Sequence, residues 1–143
     1  MVFILFNITK EIYDTLSSID GLKVFTDETD TSSAVWLQFG LENGSSYRIK
    51  FISTDDDNDV AIRVFSIVSV TEDQVAKVLP VLNELNCKYR YAKFTCDDDR
   101  DINLEYDFPA ASICPEKSAK EMLIRFNTFV EEAYPLIMRT IWA

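Results

Sequence analysis

From Val35 to Leu41, and again from Tyr47 to Phe51, apolar and polar side chains alternate, and Asn43-Gly44 stands between the two runs. A period of two sends successive side chains to opposite faces of a strand, so each run makes one apolar face and one polar face. The join is a hairpin, and its length sets the register. A two-residue loop at 43–44 would put Phe39 opposite Arg48 and the two apolar rows on opposite faces. A three-residue loop over 43–45 puts Phe39 opposite Ile49 and Leu37 opposite Phe51. Burial selects the second, because a one-residue slip flips every side chain.

Other segments extend this sheet and supply helices to cover it. Ile8, Ile12, Leu16 and Ile19 recur at helical spacing, which predicts a helix over 7–20 with Gly21 just past its end. Strands are expected near 22–28, 34–41, 47–53 and 60–70. The run Val64 to Val70 is apolar at both parities, as in a central strand covered on both faces. Thr71 and Gln74 form a capping box for a second helix over 72–86. Its inner face would carry Val75, Val78, Leu79, Leu82 and Leu85, with a kink at Pro80. Residues 89–108 read as a hairpin with Phe94 opposite Leu104 and Lys93 opposite Glu105, joined by the acidic loop Asp97–Asp101. Pro115 fits the first position of a third helix, whose apolar stripe runs from Ala119 to Ile141 and is interrupted by Pro135 near Glu131. The expected fold is α+β, in the order α-β-β-β-β-α-β-β-α, with one antiparallel sheet and helices mainly on one face. A length of 143 residues fits a single domain over 1–143.

Charge and residue types narrow the function. With 14 Lys and Arg against 24 Asp and Glu, the net charge of −10 disfavours nucleic acid and anionic membrane surfaces, and draws basic partners. No run approaches the length of a membrane span. The apolar opening Met1–Phe6 lacks a basic leader and is shorter than a signal segment. Cys87, Cys96 and Cys114 match no zinc spacing and read as reduced, buried thiols in a cytoplasmic protein. There is no histidine, and none of the glycine-rich phosphate or nucleophile-elbow motifs occurs. No catalytic, cofactor or metal residues are therefore expected.

Several blocks together resemble the YbjN-like family of bacterial proteins. They are Arg63-Val-Phe-Ser-Ile-Val-Ser-Val70, Leu82-Asn-Glu-Leu-Asn86, Tyr91-Ala-Lys-Phe94, Ile102-Asn-Leu-Glu-Tyr-Asp-Phe-Pro109 and Ala133-Tyr-Pro135. The resemblance implies a fold similar to that of type III secretion chaperones, small acidic α+β proteins that often dimerise and hold partner polypeptides. It carries over no catalytic residue.

Three constellations stand out. The Asp triplets 55/57/59 and 97/99/101 have the opening spacing of a calcium loop, but lack its glycine and its terminal glutamate, so hairpin turns are the default reading. Trp36, Gln38, Arg48, Lys50, Tyr91 and Lys93 lie opposite the apolar rows, which predicts a cationic-aromatic patch on an acidic protein. An ordinary exposed face, neutralised by Glu105 and Asp107, is the alternative. Tyr134, Ile137, Met138, Ile141 and Trp142 crowd the last turns of the third helix, more than one narrow stripe needs, and so suggest a contact with a partner or a second copy. Three functions remain open: a non-catalytic, chaperone-like or regulatory module binding another polypeptide; an acidic neutraliser of a basic enzyme; and a carboxylate-metal enzyme.

Overall fold

In a computed structural model, residues 5–111 and 114–143 are described; the first four residues of the apolar opening lie outside them. The order of elements is α1 (Asn7–Ser17), β1 (Phe25–Glu28), β2 (Ser33–Gly40), β3 (Ser46–Ser53), β4 (Asp59–Ser69), α2 (Glu72–Lys88), β5 (Lys93–Cys96), β6 (Asp101–Pro109) and α3 (Pro115–Ile141). The α-β-β-β-β-α-β-β-α order is as expected from the sequence. All strands pair antiparallel in a six-stranded sheet of order β1-β2-β3-β4-β6-β5.

One face of that sheet makes the core. Val35, Leu37, Ile49, Phe51, Val60, Ile62, Ile102 and Leu104 point inward and meet Ile12 and Leu16 of α1, Val78 and Leu82 of α2, and Phe126 and Val130 of α3. The helices pack on this face and on one another. Each buried aliphatic or aromatic side chain contributes about 1.5–3 kcal/mol relative to exposure. Gln38, Arg48, Phe65 and Asp107 on the opposite face are exposed. Among the described residues, no helix is long and apolar enough to cross a membrane.

The hairpin between β2 and β3 corrects the expected register. Leu37 pairs with Ile49 and Phe39 with Tyr47, so the loop is one residue earlier, over 42–44. Leu41 N–H donates to Ser45 O at 2.7 Å and Gly44 N–H to Leu41 O at 3.0 Å, and Gly44 sits at φ +89°. That left-handed position is one a glycine takes without a Cβ penalty, and it fixes the turn. The parity was right and the register was off by two.

Other departures have similar local causes. Helix α1 stops at Ser17, short of the expected residue 20. Its Ile8 N–H is capped by Asp56 Oδ1 from the β3–β4 loop at 3.0 Å. Leu79 of α2 is exposed. Strand β4 is central, yet Phe65 on its second face is 51% exposed. Its double-parity apolar run comes from a bulge: Val64 pairs with Leu104 but Val68 with Ile102, with Ser66 at φ +54° between them. Helix α3 runs unbroken through Pro135, because Ala133, Ile137 and Ile141 are buried on both sides of it. Burial there offsets the roughly 3 kcal/mol that an internal proline costs.

Candidate polypeptide-binding surface

The β1–β2 ladder begins at Phe25 opposite Trp36 and ends at Glu28 opposite Ser33. On its other side, β2 stays paired with β3 as far as Gly40 opposite Ser46. Among the described residues, Leu37–Gly40 thus have a strand on one side and none on the other. The segment leading into β1 leaves a groove of about 720 Å³ beside them, lined by Leu22, Phe25, Trp36, Gln38, Phe39 and Leu41 among others. Unpaired strand backbone beside an apolar groove is the geometry that accepts an added strand.

The open face of the sheet continues from this edge. Phe25 stacks on Trp36 with ring centroids 4.4 Å apart. The Arg48 guanidinium lies 4.1 Å over the same indole, and its Nε donates to Gln38 Oε1 at 3.2 Å. A second depression of about 460 Å³ adjoins the groove at Gln38 and Ser46, and is lined by Arg48, Lys50 and Phe65. Among the described residues, neither Arg48 nor Lys50 has an ion-pair partner. Arg63, by contrast, is held by Glu105 at 3.1 Å and Asp107 at 2.7 Å. Trp36 Nε1 is buried without a hydrogen-bond partner among the described residues. The neutralisation expected of Glu105 and Asp107 is therefore spent on Arg63.

Two residues expected in this patch are placed elsewhere. Tyr91, at φ +71°, turns to the other side of the sheet, where it meets Tyr106 edge-on at 5.6 Å and the Arg125 guanidinium of α3 at 5.3 Å. Lys93 pairs in register with Glu105, but its Nζ donates to the Asn86 and Tyr89 carbonyls at 2.9 and 3.1 Å. There it caps the C-terminus of α2, where a cation is favoured. Trp36, Gln38, Arg48 and Lys50 do come together. Phe25 and Phe65 join them and were missed, since neither stands in a clean alternating run.

The C-terminal group divides in the same way. Ile137 (0% exposed) and Ile141 belong to the core, which corrects their assignment to a partner contact. Tyr134 is half-buried and its hydroxyl accepts from Asn43 Nδ2 at 2.7 Å. Beside it a cleft of about 480 Å³ lies between 40–43 and Glu131, Tyr134 and Pro135. Only Trp142 of that group is well exposed, at 74%. The expectation of a partner or second copy there rested on all five side chains, and two of them are buried.

The acidic loops have local work. Asp55 Oδ1 accepts from the Asn58 and Asp57 amides at 2.8 and 2.9 Å, and these bonds hold its carboxyl below the usual range. Asp97 accepts from Asn103 Nδ2 at 2.9 Å and from the Asp101 and Asp99 amides, and is lowered likewise, with Asn103 the largest cause. Among the described residues, no group of three or more Cys, Asp or Glu is placed to hold a metal ion. The cysteines are free; Cys87 is exposed, while Cys96 and Cys114 are half-buried rather than fully so. Burial, followed by Asp97 and Asp101, pushes the Cys96 thiol up.

Among the described residues, six antiparallel strands and three helices in this order make an α+β fold. Residues 13–134 match the family described as type III secretion (YopN, CesT) and YbjN peptide-binding chaperone 1, TY-Chap1, and the chain belongs to that family. Comparison with curated proteins returns no match. Family membership supports a protein-binding role.

Proposed function

We propose that this protein is a non-catalytic, chaperone-like module that captures an extended stretch of another polypeptide by pairing it with residues 37–40 of β2. The observation that carries this reading is the mismatch of the two ladders, which among the described residues leaves four residues of β2 without a neighbouring strand on one side. A strand added there gains main-chain hydrogen bonds on the polar edge and seats alternate side chains in the groove. In this reading the protein is a single domain working in the bacterial cytoplasm, where its three cysteines stay reduced. Regulation of the captured polypeptide, rather than chemistry on it, is its role.

The acidic-neutraliser alternative has less support, because Asp55, Asp56 and Asp97 are engaged in building loops and capping α1. The carboxylate-metal reading has less again, for want of clustered ligands among the described residues. The test uses a fluorescein-labelled heptapeptide of alternating Val and Thr, and the same peptide N-methylated at alternate amides on its pairing edge. Saturable binding of the first and loss of at least tenfold in affinity for the second are expected. Equal affinity for both would show that main-chain pairing is not the mode.

A further inference from the structure

We infer that Arg48 makes this edge selective for a segment with an acidic side chain between two apolar ones. The inference rests on the edge-pairing reading above and adds the chemistry of the occupant. Residues that face each other across a ladder share a face of the sheet. A guest residue opposite Leu37 or Phe39 points to the helix side, toward Leu22 and Leu41 in the groove. The guest residue opposite Gln38 points to the open face, and there it meets Arg48.

Arg48 belongs to β3 but reaches across β2. Its cross-strand partner is Gln38, its Nε bonds Gln38 Oε1, and its guanidinium lies over the Trp36 indole. That posture holds the guanidinium over β2 at Trp36 and Gln38, next to residues 37–40, on an exposed side chain that no carboxylate of the described chain neutralises. A guanidinium resting on an aromatic face is pre-oriented, and a carboxylate is the ligand its planar fork fits. Lys50, opposite Trp36 and one pair further along, adds a second uncommitted cation. The chain as a whole, at −10, repels acidic segments. A preference for one therefore needs a local source, and Arg48 is placed to be it.

Three labelled heptapeptides of the form Val-Thr-Val-Xaa-Val-Thr-Val, with Xaa as Glu, Gln or Lys, are titrated against the full chain by fluorescence polarisation. The Glu probe is expected to bind at least fivefold more tightly than the Gln probe, and the Lys probe more weakly than either. In Arg48→Gln the Glu and Gln probes should bind within twofold of each other. Arg48→Lys should restore part of the preference. Arg48 is exposed, so these variants should melt with the parent protein, and the Gln probe reports any damage to the edge. If the Glu and Gln probes bind the parent equally, or if the preference persists in Arg48→Gln, the acid selectivity is overturned and edge pairing stands. If no probe binds, edge pairing fails and this inference fails with it.

Discussion

Asn103 offers the sharpest test of how the sheet is held in shape. It is a buried polar residue on β6, and its two amide atoms bridge two irregular places. Its Oδ1 accepts from Ser66 N–H, at the bulge of β4, at 2.8 Å, and its Nδ2 donates to Asp97 of the β5–β6 loop at 2.9 Å. Ser66 sits at φ +54°, a conformation that costs a non-glycine residue about 1–2 kcal/mol unless something holds it. Asn103→Ala removes both hydrogen bonds of this side-chain amide, one of them to a carboxylate, which together contribute roughly 1–3 kcal/mol. With a urea slope of about 2 kcal/mol/M, the midpoint should fall by about 1 M. The Ser66 amide should also exchange faster than its neighbours in the variant. A midpoint within about 0.25 M of the parent, with an unchanged slope, would refute the idea that Asn103 pins the bulge.

Ile137→Ala should lose about 2–5 kcal/mol in the same titration, since its side chain is fully buried, whereas Trp142→Ala should stay within about 0.5 kcal/mol. Equal effects would put Ile137 back at the surface. Gly44→Ala meets no atom within 4 Å but keeps φ +89°, so a loss of about 1–2 kcal/mol should come from backbone strain alone. Asp55 and Asp97 have folded-state values below their unfolded ones, so their contribution is present above the unfolded value, about 3.9, and is lost as pH falls through the folded values. Acid unfolding should therefore be less steep in the Asp55→Asn/Asp97→Asn double variant. A thiol reagent at neutral pH should modify exposed Cys87 before Cys96, whose thiol is pushed up by burial and neighbouring carboxylates; mass spectrometry of the digest decides the order.

The sequence was informative wherever periodicity and turn chemistry agreed. The β5–β6 hairpin came out with its register intact, Phe94 opposite Leu104, because both strands alternate and the loop length admits one pairing. The β2–β3 hairpin showed its parity but not its register. Burial decides which face a side chain takes, whereas Gly44 at φ +89° decides where the chain turns. Pro135 and the Val64–Val70 run misled for a related reason: long-range packing kept α3 continuous, and a bulge, rather than double burial, broke the alternation. Of the surface patch, Trp36, Arg48 and Lys50 were legible from parity alone. Tyr91 was misplaced because its positive φ reverses the face, and Lys93 because an edge side chain found the carbonyls of α2. The free edge itself was invisible, since it depends on β1 spanning only four residues.

Amide hydrogen exchange by NMR, with and without saturating Val-Thr-Val-Glu-Val-Thr-Val peptide, tests the central claim most directly. Strand addition predicts that protection rises for the edge-facing amides within residues 37–40 of β2, whose outer side has no strand among the described residues. Protection that instead rises around Trp142 or the 97–101 loop, with the β2 amides unchanged, would contradict it.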